Sequence, residues 1–60
     1  MQGRLVPGCI VAYPLTDTLY ALAIVETIER ERVHIKPLHE SETMIANSST
    51  LWKVLERAPW

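Results

Sequence analysis

The sequence predicts a small all-β domain of five short strands, a barrel or meander, on three observations. Its 60 residues are 48% hydrophobic, too few for two cores and too apolar for a disordered chain. The apolar residues fall in short segments, residues 9–13, 19–28, 33–38, 44–46 and 51–55, rather than in one long amphipathic run. Between them stand turn formers: Pro7-Gly8, Pro14 to Asp17, Glu29 to Arg32, Pro37 to Thr43 and Asn47 to Thr50. Residues 1–60 therefore read as one domain. A chain this short buries only about 60% of the surface its unfolded form exposes, so oligomerisation or a partner would add needed stability.

The first segment, Cys9 to Tyr13, follows the Pro7-Gly8 turn and as a strand is apolar on both faces. The second is the ambiguous one. Tyr20, Ala21, Ile24, Val25 and Ile28 fall at helical spacing, and Thr16, Asp17 or Thr18 could cap a helix start. Ile24, Val25, Thr27 and Ile28 are β-branched, however, and Leu22 and Ala23 would lie off the helical stripe, so a strand is favoured. As a strand it is apolar on both sides, with Leu19, Ala21, Ala23 and Val25 on one and Tyr20, Leu22 and Ile24 on the other. Such a strand is either covered on both faces or meets another chain.

The second and third segments form a hairpin across the charged Glu29–Arg32 tip. Neither Asn-Gly nor Asp-Gly occurs there, which favours a loop longer than two residues. In the third segment His34 and Lys36 share one face, while Val33, Ile35 and Pro37 share the other. Near the C-terminus Ser49 or Thr50 could cap a short helix that presents Leu51, Val54 and Leu55 before Pro59 ends it; a turn followed by a closing strand is the alternative.

Several function classes are excluded by composition. The formal charge of -1 supplies no excess positive field for nucleic acid, and no apolar run reaches the roughly 18 residues of a membrane helix. Gly3 and Gly8 are the only glycines, so a Gly-rich phosphate loop is absent. Cys9 is the single cysteine and cannot close an internal disulfide. No secretory leader is recognisable, so a cytoplasmic location is expected and Asn47-Ser48-Ser49 reads as a coincidental glycosylation pattern.

Chemistry is sparse. Cys9 with His34 or His39 is the one nucleophile–base combination, but nothing near Cys9 in sequence lowers a thiol pKa, and it reads as a core residue. His34, His39, Glu40 and Glu42 are close in sequence, yet no metal-binding motif links them, and Lys36 would oppose a cation. The expectation is a protein with no catalytic residues, no cofactor and no metal. Glu26, Glu29, Arg30, Glu31, Arg32 and Lys36 alternate in sign and read as a solvated hairpin tip.

The spacing Ala12, Asp17, Ala23-x-Val25-x-x-Ile28, Val33-x-Ile35 and Leu51 with Leu55 resembles the Tudor branch of the SH3-like barrels over most of the chain, about residues 7–55. The resemblance implies a five-stranded SH3-like barrel acting as a binding module. Members of that branch hold methylated lysine or arginine in an aromatic cage. Here Ala21 stands at an often aromatic position, and Leu38-His39-Glu40-Ser41 replaces an Asp-Tyr-Gly-like stretch, which leaves Tyr13 and Tyr20, with Trp52 more distant.

The expected activity is non-catalytic binding of another polypeptide, or homo-oligomerisation, through Tyr13, Tyr20 and Trp60. Trp52 is expected in the core or as a lid. The alternative is nucleic-acid binding, with Arg30, Arg32, Lys36 and Lys53 on phosphates and a tyrosine stacked on a base. A third possibility is a small oligomeric enzyme with one pore shared among protomers.

Overall fold

The computed structural model describes residues 4–60. Five strands, β1 Ile10–Pro14, β2 Tyr20–Glu29, β3 Arg32–Pro37, β4 Met44–Asn47 and β5 Trp52–Leu55, form one antiparallel sheet in the order β4-β3-β2-β1-β5. The segment 19–28, open to a helical reading, is strand from Tyr20 on, as its β-branched content favours. Near the C-terminus the alternative holds: a 3-10 turn, Ser48–Thr50, leads into the strand β5, and Leu51, Val54 and Leu55 lie on no helix.

The sheet is not closed into a barrel. Its edges are β4 and β5, four residues each, and no ladder joins them. The meander β1 to β4 builds most of the sheet, and β5 returns to pair with β1.

Each strand is set by local chemistry. In the turn before β1, Pro7 and Gly8 are the two central residues, Gly8 has φ 95, and the Cys9 N–H donates to the Val6 carbonyl at 3.2 Å. This is the arrangement of a type II turn, which needs glycine at the third position. The β1–β2 loop is held by Thr16, whose Oγ1 accepts from the N–H groups of Thr18 and Leu19 at 3.3 and 3.1 Å.

The β2–β3 connection is shorter than expected. Glu29 pairs with Arg32, so the turn has two residues, and Arg30 sits at φ 58. That positive φ at the first central position is the one a type II′ hairpin turn usually gives to glycine. The ladder through Ile28 and Val33 carries the strained turn without a glycine.

The core lies on one side of the sheet. Cys9, Val11, Tyr13, Ala23, Val25, Val33, Ile35 and Leu51 form its buried cluster, with Leu5, Val6, Ala21, Ile28 and Ala46 packed around it. The alternation of β1 and β3 delivers Val11, Tyr13, Val33 and Ile35 to that side. In β2 the register shifts between Val25 and Thr27. Simple alternation would send Thr27 inward after Val25; the irregularity resets the phase, and Ile28 packs against the core instead.

Candidate functional site: an apolar outer sheet face

The side of the sheet opposite the core is built from the alternate residues of the same strands. Residues directly opposite one another in antiparallel strands share a face. Trp52 of β5 lies opposite Ala12 of β1, which lies opposite Leu22 of β2. The Leu38 N–H donates to the Leu22 carbonyl at 3.0 Å and brings Leu38 to the end of that row. A neighbouring row runs Leu55, Ile10, Ile24 and Lys36, and Pro14 pairs with Tyr20 on the other flank.

The C-terminal segment crosses this face. The Ala58 N–H donates to the Gly8 carbonyl at 3.0 Å, and Trp60 lines a surface depression with Ile24, Lys36, Pro37 and Leu38. Ile10 is 1% exposed although it lies outside the inner cluster, as a residue covered on the outer side would be. The larger side chains of the face remain open: Tyr20 is 64% exposed, Trp52 58% and Trp60 73%, with Leu22, Leu38 and Leu55 each near half-exposed.

The expected contact residues divide between the two faces. Tyr20 and Trp60 lie on the outer face, but Tyr13 does not join them. It is 4% exposed in the core, because the alternation of β1 that turns Ala12 outward turns Tyr13 inward. Burial pushes the Tyr13 phenol above its ordinary 10.0, and the charge of Glu40 adds to the effect. Trp52, expected in the core or as a lid, is on the outer face. The signal was its neighbour: once Leu51 points inward at 1% exposure, Trp52 must point out.

The cations named for nucleic acid do not form one surface. Arg30 and Arg32 stand at the β2–β3 tip among Glu29 and Glu31. Lys36 is on β3, and Lys53 is on β5, with β2 and β1 between them. Lys53 is also engaged: its Nζ donates to Glu56 Oε2 at 2.6 Å and to the Arg4 carbonyl at 3.0 Å. That bond and the lysine charge hold the Glu56 carboxyl below its ordinary 4.5.

The titratable groups are likewise dispersed. Cys9 is buried in the inner cluster, whereas His34 is on the outer side and pairs with Glu29 at 3.2 Å. His39 pairs with its neighbour Glu40 at 3.3 Å. Among the described residues no group of three or more His, Cys, Asp or Glu could hold a metal ion, and no helix is long and apolar enough to cross a membrane.

No family model, curated protein or solved structure matches this chain. The chemistry of the outer face is therefore the guide to function.

Proposed function

We propose that this chain is a non-catalytic protein-interaction module of SH3-like type that binds another polypeptide through its outer sheet face. The observation that carries the reading is the contiguity of that face: Trp52 on β5, Tyr20 and Leu22 on β2, Leu38 just past β3 and Trp60 on the tail are exposed on one side, with only Ala12 of β1 between Trp52 and Leu22. A continuous apolar patch of this kind marks an interaction surface, whereas scattered surface leucines do not. Trp and Tyr are also the residues that most often dominate binding energy. The strand order, with a 3-10 turn leading into a strand that returns to β1, supports the SH3-like assignment. The Tudor-type cage has less support, since Tyr13 is in the core and Tyr20 is on the opposite face.

Capture of a protein partner from lysate, with and without nuclease, tests the reading. Tyr20→Ala, Trp52→Ala and Trp60→Ala should each weaken capture about 30-fold or more, the effect of removing a contact worth roughly 2 kcal/mol. Circular dichroism should show the strand content unchanged. Undiminished capture by all three variants would remove the reading. A steep loss of binding between about 50 and 200 mM salt would instead indicate phosphate contacts, because an apolar interface is little affected by screening.

A further inference from the structure

We propose that the outer face is a dimer interface that takes a second copy of this chain, related by a two-fold axis. This inference rests on the reading of the face as a protein-binding surface and names its occupant.

Area is the first argument. Trp and Tyr bury about 150–250 Å² each, so Tyr20, Trp52 and Trp60, at 64, 58 and 73% exposure, present roughly 300–500 Å² between them. Leu22, Leu38 and Leu55 extend the same face toward the roughly 800 Å² that each partner brings to a standard interface. The face is thus of the size one further copy of a 6.8 kDa chain needs in order to dock.

Shape is the second argument. A two-fold interface uses one patch twice, so the patch must carry both projections and the hollows that receive them. This face has both. In the row Trp52–Ala12–Leu22 a methyl group stands between two large side chains and leaves a dip. The depression bounded by Ile24, Lys36, Pro37, Leu38 and Trp60 is a second hollow on the same face. The indole of Trp52 and the ring of Tyr20 are the projections.

Charge is the third. Lys36 is the one cation in the rows described, at the border of the patch, so stacking two copies brings no concentrated like charge to the centre. A formal net charge of -1 gives the chain little long-range self-repulsion. Two such faces would meet over the Ala12–Leu22 row, beside the C-terminal segments that cover Ile10.

Sedimentation equilibrium on the full chain across a range reaching roughly 200 µM tests the proposal, since interfaces of this size associate at micromolar concentrations or below. The expected result is a rise from the 6.8 kDa monomer mass to twice that mass. Leu22→Glu should weaken association by about 100-fold or more, because each dimer gains two carboxylates in an apolar contact. Glu31→Lys, in the exposed β2–β3 turn and off that face, should leave it unchanged.

If Leu22→Glu fails to fold, Trp52→Ala provides the same comparison from an exposed position. A chain that stays at monomer mass throughout overturns the dimer. So does association that Glu31→Lys abolishes and Leu22→Glu spares, since it would run through the β2–β3 tip. If the chain is monomeric while the aromatic variants still lose lysate capture, the dimer fails and the interaction-module reading stands. If the chain is monomeric and capture is unaffected, both fail.

Discussion

Arg30 illustrates how a single residue can be held against its own preference. An L-residue in the left-handed region costs roughly 1–2 kcal/mol, and glycine avoids most of that cost. The tip of the β2–β3 hairpin nevertheless places Arg30 at φ 58, because pairing on both sides of the turn fixes the chain reversal at two residues. Arg30→Gly should therefore stabilise the fold by about 1 kcal/mol, read as a higher urea midpoint at unchanged slope. An unchanged or lower midpoint would mean that the Arg30 side chain contributes more than its backbone strain costs. The hairpin tip at Glu29–Arg32 was legible but its two-residue length was not, since the usual Asn-Gly or Gly signal is missing and only the ladder on either side enforces it. Gly8 is the opposite case, for Pro7-Gly8 announced its turn directly and the φ of 95 requires the glycine.

Among the elements, β3 was readable because a buried and an exposed side alternate, placing His34 and Lys36 opposite Val33 and Ile35, whereas β1 is apolar on both sides and its facing was not. β2 was readable as a strand but its phase was not, because the irregularity after Val25 leaves no mark in residue type. The same limitation placed Tyr13 with Tyr20: both are aromatic and near the β1–β2 loop, but strand parity separates them. The 3-10 turn has a clearer cause. Asn47 Oδ1 accepts from the Ser49 N–H at 2.9 Å and from Ser49 Oγ at 2.8 Å, so one carbonyl oxygen fixes the start of the turn. Asn47→Ala should cost about 1 kcal/mol, as loss of a capping acceptor does, while Asn47→Asp should retain most of it. Thermal unfolding of the two variants checks the difference.

For the whole molecule, five strands and one domain's worth of core were legible from composition and punctuation, but closure was not. A barrel and an open sheet with this strand order need the same apolar spacing, and they differ only in whether the two four-residue edge strands pair. The outer face was half legible. Tyr20, Leu22 and Ile24 already showed that β2 is apolar on both sides, whereas the contributions of Trp52 and Leu38 depend on strand neighbours that only the register supplies.

The pairing of β1 with β5 also has a consequence in time. Every other ladder joins strands adjacent in the chain, but Ile10 meets Leu55 across 45 positions. Closing so long a loop is entropically the slowest contact to establish, while the β2–β3–β4 meander needs only short closures. The meander should thus be organised in the folding transition state and β5 should dock afterwards. Conservative truncations in β3, such as Ile35→Val, should slow folding, whereas Val54→Ala in β5 should mainly speed unfolding. Stopped-flow rates for the two variants would reverse that order if the terminal strands nucleate the fold.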